Sequence, residues 1–209
     1  MSDAYTSIAA PVEAEIEIKR SRFLARLEPV TDEEQARVVI DAARRTHWDA
    51  RHHCSAFVLG PESATRRCND DGEPSGTAGT PMLEVLTGRG LTDVVAVVTR
   101  WFGGTLLGTG GLVRAYSDAV VQAVGAARLL TYRLHELADV GVPMAEAGRL
   151  ENHLRAAGYA VRGADYSGEH VTLHLAVAGA RRDELDEAVA MATAGAGTVQ
   201  YRGTTWEKE

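Results

Sequence analysis

RWFGGTLLGTGGLVRAY, Arg100 to Tyr116, follows the apolar run VVAVVT of Val94 to Thr99 and leads into an alanine-rich segment. Five glycines, Gly103, Gly104, Gly108, Gly110 and Gly111, fall within nine residues. Glycine costs backbone entropy on folding, so a cluster directly after a β-branched strand marks positive φ angles, close approach of another backbone, or exposed amides. Beyond Gly111, Leu112, Ala115, Ala119 and Ala123 recur at helical spacing, with Val113, Val120 and Val124 beside them. The order is therefore strand 91–99, glycine loop, helix 111–127.

Strand, loop and helix in that order make a natural anion site, because helix N-terminal amides point their dipoles outward. The nucleotide fingerprints do not fit. Gly103 and Gly108 have the spacing of a Walker loop, but Thr109 stands where its lysine belongs, and Val113 stands where the last glycine of GxGxxG would fall. Two readings stay open: a tight turn that packs helix on sheet, or an anion or partner-binding loop to which Arg100 and Arg114 lend charge.

A second segment, NDDGEPSGTAGTP from Asn69 to Pro81, has no apolar residue larger than alanine outside its prolines and reads as a loop. Asp70, Asp71 and Glu73 offer hard oxygen ligands, but without the alternating pattern of a calcium loop. Upstream, Ile16 and Ile18, then Phe23, Ala25 and Leu27, read as two strands or one bent strand, with Lys19, Arg20, Ser21 and Arg22 exposed at the bend. Thr31 with Glu34 three residues on forms a capping box for a helix running to about Thr46. Trp48 to His53 leads into a strand from Cys54 to Leu59 within the alternating run HHCSAFVLG, and Pro81 to Gly88 is a short helix. In that strand-like run the adjacent His52 and His53 must point to opposite faces.

Beyond Leu130 the order is strand 134–142, helix 143–157, strands 159–166 and 170–177, helix 180–194 and strand 198–202. This βαββαβ order is that of a ferredoxin-like unit. A two-domain α+β chain divided as 1–130 and 131–209 is expected.

Four stretches in order, SRFLA (Ser21 to Ala25), HHCSAFVLG (His52 to Gly60), the acidic loop and VVTRWFGGTLLGTGGLVRAYSDAV (Val97 to Val120), resemble the IMPACT family, specifically its bacterial YigZ branch. Where that family usually has an aromatic pair such as Tyr-Phe, this chain has Trp101 and Phe102. The resemblance implies an N-terminal two-layer α/β sandwich of the type found in ribosomal proteins and translational GTPases. It also implies a C-terminal half similar to the ferredoxin-like domains of elongation factor G. Eukaryotic relatives are associated with regulation of the amino-acid-starvation kinase pathway.

The net charge of −7 opposes non-specific adhesion to nucleic acid, yet between residues 89 and 130 four arginines face two aspartates. Two cysteines without a CxxC pattern fit a reducing compartment. No apolar run approaches the roughly 20 residues of a membrane span, and the N-terminus lacks a signal-peptide pattern, so a cytoplasmic protein is expected.

The function expected is a translation-linked regulatory binding protein whose partner is RNA, the ribosome or a translation-associated protein, with no cofactor, metal or membrane partner. Its expected binding surface combines Ser21, Arg22, His52, His53, Asp70, Asp71 and Glu73 with the loop Arg100, Trp101, Gly103, Gly104, Gly108, Gly110, Gly111, Arg114 and Tyr116. Loop amides and arginines would hold phosphate while Trp101 or Tyr116 stacks, with Phe102 inside and Trp101 partly exposed. Two other uses of these residues remain. One is a hydrolase, possibly metal-dependent, built from His52 or His53 with Asp70, Asp71 and Glu73. The other is architectural, with Asp70 or Asp71 paired to Arg100 or Arg114 to lock the two loops together.

Overall fold

The computed structural model describes residues 3–209, in two compact units that meet between Thr131 and Tyr132. The first unit opens with β1 (Ala4–Ile8), followed by β2 (Val12–Ile18), β3 (Ser21–Pro29), α1 (Glu33–Thr46), β4 (His52–Leu59) and β5 (Thr65–Asn69). It continues with α2 (Gly79–Gly88), β6 (Val94–Trp101) and α3 (Thr109–Ala126). Strands β2, β3, β6, β4 and β5 form one sheet in that spatial order, every pair antiparallel.

Alternation along the central strands decides what covers each face. Phe23, Ala25 and Leu27 of β3, Cys54, Ala56 and Val58 of β4, and Val94, Ala96 and Val98 of β6 share a core with α2 and α3, which contribute Met82, Leu86, Leu112, Tyr116 and Val120. The intervening Phe57, Val95 and Val97 pack with Ala36, Val39 and Ala43 of α1 on the opposite face. This helix adds a third layer to the two that the resemblance implies, and it explains why β4 and β6 read as near-continuous apolar runs. The same face also carries charged pairs, Arg26 with Glu13 and Arg22 with Glu15.

Two local expectations are corrected. The cap of α1 is Asp32, whose carboxylate accepts the Gln35 amide, rather than Thr31; the Thr31 hydroxyl instead accepts from the Gln35 side chain. The bend after β2 is a two-residue hairpin in which Lys19 and Arg20 both adopt positive φ, 49° and 66°, and Ser21, the next residue, is fully buried rather than exposed.

The second unit contains most of β7 (Leu129–Pro143), then α4 (Met144–Ala156), β8 (Ala160–Ser167), β9 (His170–Ala178), a 3-10 turn (Gly179–Arg181), α5 (Arg182–Ala192) and β10 (Thr198–Lys208). Its strands lie in the order β10, β7, β9, β8, all antiparallel. Val140, Val142, Leu173 and Leu175 face Leu150 and Leu154 of α4 and Leu185 and Val189 of α5. This is the ferredoxin-like split βαββαβ arrangement, and the mixed α+β class expected from the sequence is borne out.

Candidate functional site

The two glycine-rich segments meet at the C-terminal end of β6, and a buried ion pair joins them. Arg100 Nη1 donates to Glu73 Oε1 at 2.5 Å, and the Tyr116 hydroxyl donates to the same oxygen at 2.8 Å. Arg100 is only 6% exposed and Tyr116 not at all. The Tyr116 ring stands edge-on to Phe23 at 5.3 Å, and the Arg100 guanidinium lies 5.4 Å from the Phe23 ring centre. Cys54 Sγ lies 3.0 Å from the Asp70 carbonyl and 3.3 Å from the Tyr116 hydroxyl. Burial pushes the Cys54 thiol up to about 12 and raises the Tyr116 phenol above its ordinary value, so both stay protonated at neutral pH. A protonated, enclosed thiol is no nucleophile.

The acidic loop is held by its own side chains. Desolvation raises the affinity of the Asp70 carboxyl for its proton, but the amides of Gly76, Gly79 and Ala78 donate to it and together hold it below the ordinary carboxylate range. Asp71, at φ 44°, receives the His53 amide on one oxygen and Arg44 of α1 on the other, both at 2.7 Å. The lock between loops therefore exists, but its carboxylate is Glu73, with Arg100. Asp70 and Asp71 close the loop on itself and onto α1.

The glycine loop is docked on the β2–β3 hairpin. The Gly103 amide donates to Ser21 Oγ at 3.1 Å, and a Cβ on Gly103 would lie 2.0 Å from the Arg20 carbonyl carbon. Only glycine fits there. Gly104 and Gly108 adopt φ of 84° and 74°, the second as the N-cap of α3. That cap has no side chain to offer, and the amides of Thr109, Gly110 and Gly111 meet no acceptor among the described residues; the first helical bond runs from the Leu112 amide to the Gly108 carbonyl.

Strand alternation splits the expected binding surface in two. Ser21, His52, Glu73, Arg100 and Tyr116 lie on the α2–α3 side. Arg22, His53 and Trp101 lie on the α1 side, where the Arg22 guanidinium sits 4.3 Å from the Trp101 ring centre, Trp101 Nε1 donates to Asp49 and His53 Nε2 contacts the His47 carbonyl. His53 is buried, and desolvation holds its imidazole below its ordinary value. His52 and His53 cannot serve one centre, as their adjacency on a strand requires. Arg114 is exposed on α3 away from both clusters, and Tyr116, being wholly enclosed, offers no face for stacking. Phe102 is 46% exposed, contrary to the expectation that it is inside: β6 ends at Trp101, so alternation no longer governs the next side chain.

On the α2–α3 side an open cleft of about 430 Å³ is walled by Arg51, His52, Glu73 and Arg100 and by Phe102, Leu106 and the start of α3. Arg51, Leu106 and Thr109 were not among the residues expected from sequence; the only signal for them was position, directly before β4 and at the helix start. His52 Nδ1 lies 2.9 Å from the Asp71 carbonyl, which can only accept, so that nitrogen carries the proton. Its Nε2 stands 4.0 Å from Glu73 Oε1. Among the described residues no group of three or more His, Cys, Asp or Glu is placed to hold a metal ion, and no helix is long and apolar enough to cross a membrane.

The Impact N-terminal domain family matches residues 19–124, and a domain of unknown function, DUF1949, matches residues 142–196. The chain is 41% identical over 167 residues to the IMPACT family member YvyE of Bacillus subtilis, covering 80% of this chain and 77% of that one. It is 49% identical over 118 residues to the IMPACT family member YigZ of Escherichia coli, 56% of this chain and 58% of that one. Protein IMPACT of Xenopus laevis is 34% identical over 95 residues. A crystal structure of a hypothetical protein superposes with a TM-score of 0.68 at 35% identity, covering 95% of this chain and 97% of that one. The chain belongs to the IMPACT family.

Proposed function

We propose that this IMPACT family protein is a translation-linked regulatory binding protein, and that RNA, the ribosome or a translation-associated protein engages it at the cleft beside the glycine loop. One observation carries the reading. The Arg100–Glu73–Tyr116 cluster fixes both loops around a cleft that presents a cationic rim at Arg51, free helix amides and the exposed side chains of Phe102 and Leu106. Rigid loops that display polar donors next to apolar surface are suited to recognising a partner, and the polar donors favour an anionic one. On this reading the protein acts in the cytoplasm, and the second unit adds or modulates a contact.

Co-sedimentation of the protein with ribosomal particles and total RNA at low and moderate salt tests it, alongside an Arg51→Ala variant. Arg51 is chosen because it lines the cleft, whereas Arg100 is buried and structural. Saturable, salt-sensitive association that weakens in the variant is expected. Absence of association with every fraction would overturn the translation link.

A further inference from the structure

In the second unit, each of the four sheet strands contributes one charged or titratable side chain to a single row. Leu173 and Leu175 of β9 pack with α4 and α5, so His174 between them points to the opposite face. Its Nδ1 lies 2.8 Å from Asp139 Oδ1 of β7, and its Nε2 lies 3.0 Å from Asp165 Oδ2 of β8. Arg202 of β10 completes the row, its Nε 2.7 Å from Asp139 Oδ2. Guanidinium, carboxylate, imidazole and carboxylate thus follow the strand order β10, β7, β9, β8.

Only one protonation state satisfies this row. An ionised carboxylate can only accept a hydrogen bond, so two carboxylates on two ring nitrogens require both nitrogens to carry hydrogen, which makes the ring an imidazolium. The charges then alternate from Arg202 to Asp165. Hydrogen bonds to Asp139 and to Asp165 raise the imidazole above its ordinary value, outweighing its desolvation. A neutral ring keeps a single N–H. The Asp139 side chain is 12% exposed and that of Asp165 83% exposed. Stranding the enclosed acceptor costs more than returning the other to water, so the remaining hydrogen stays on Nδ1 with Asp139. Loss of the proton therefore cuts the tie to β8.

That strand is the one with least else to hold it. Among the described residues β8 pairs with β9 alone, at the end of the sheet, and its register is irregular between Val161 and Gly163, with Gly163 standing opposite His174. An irregular ladder at an edge is locally weakened, and a side-chain tie beside it has a stretch to reinforce. No other charge competes for the ring: Arg162, at the irregularity, is paired with Glu207 of β10 at 3.1 Å, and Thr172 and Ala176, which flank His174 on its own face of β9, do not titrate.

We propose that His174 is a proton-operated clasp: charged, it fastens the edge strand β8 to β9 and β7, and neutral, it releases Asp165 and loosens that edge while Asp139 stays held. The stability the clasp contributes is fully present below the imidazole value of the unfolded chain, about 6.5, and is lost as pH rises through the raised value of the folded one. The second unit thereby carries a pH-responsive edge on the alkaline side of an ordinary histidine. The inference is independent of the translation link and of the cleft in the first unit.

The test is a pH titration of the full-length ¹⁵N-labelled chain from about pH 5 to about pH 9, followed by NMR of the histidine ring nitrogens, with His174→Gln identifying the signals. Both His174 nitrogens are expected to carry hydrogen at the acid end, and Nε2 alone to lose it as pH rises. The midpoint should fall in Asp165→Asn, a change at an exposed side chain that folding tolerates. Hydrogen-exchange protection factors of the β8 amides should drop about twofold to fivefold across the midpoint, the range open to exposed ion pairs, and stay level over the same pH range in His174→Gln. A midpoint unchanged in Asp165→Asn, loss of hydrogen from Nδ1 instead of Nε2, or level β8 protection in the unsubstituted chain overturns the proposal.

Discussion

Glu73→Gln is the sharpest perturbation of the site. The Arg100–Glu73 pair spans 2.5 Å with side chains 7% and 4% exposed, and the Tyr116 hydroxyl donates to the same carboxylate oxygen. Glutamine preserves the shape and one carbonyl acceptor but leaves the guanidinium charge buried without a counterion. Breaking one side of a buried pair costs about 3–5 kcal/mol. With a urea slope of about 2 kcal/mol/M, the midpoint of the first unit should fall by roughly 1.5–2.5 M. Tryptophan fluorescence in a Trp206→Phe background reports this unit alone, because Trp48 and Trp101 are its only tryptophans. Arg100→Met should cost a similar amount, since it strands the carboxylate. The Arg100→Met, Glu73→Gln double variant should recover part of the loss, giving a coupling energy of about 2 kcal/mol or more. Strict additivity, or a Glu73→Gln cost below about 1 kcal/mol, would refute the claim that this pair ties the two loops together.

Gly103→Ala should destabilise the first unit by about 3 kcal/mol or more, because the new methyl group would lie 2.0 Å from the Arg20 carbonyl carbon; thermal melting checks it, and Gly104→Ala, whose Cβ meets nothing within 4 Å and suffers only from φ 84°, should cost less. The depressed Asp70 carboxyl contributes stability that is fully present above the unfolded value of about 3.9 and is lost as pH falls through its lower folded value. Asp70→Asn should therefore flatten the loss of urea midpoint with acid below about pH 4, and an unchanged slope would contradict the assignment. Of the two thiols, exposed Cys68 should react with Ellman's reagent in the folded protein, while buried Cys54, with its thiol pushed up to about 12, should react only on unfolding; two fast thiols would refute its enclosure.

The elements were legible wherever periodicity was strong. The apolar run before the glycines, the alanine-rich helix after them and the βαββαβ order of the second half all read correctly, because burial on one face or both writes itself into side-chain spacing. Errors fell where a local rule stopped applying. Phe102 follows the last residue of β6, so strand alternation gave the wrong side. Ser21 looked like a polar turn residue, but its hydroxyl accepts the Gly103 amide across 82 positions of sequence. Asp32 displaced Thr31 as the helix cap, a shift of one position within a stretch where both residues are capable caps.

By itself the sequence determined the family and the mixed α+β class, because motifs and periodicities are local or ordered along the chain. It could also state that His52 and His53 face apart. Only the tertiary structure decided which carboxylate pairs with which arginine. Three acidic side chains within four positions are equivalent on paper, and Glu73 meets Arg100 only because the loop, turned by Asp70 on its own amides, delivers it to the α2–α3 face of β6. The same folding step converted Arg100 and Tyr116 from candidate surface groups into buried ones. Pairing partners and burial are properties of distance in space, and linear spacing carries no term for them.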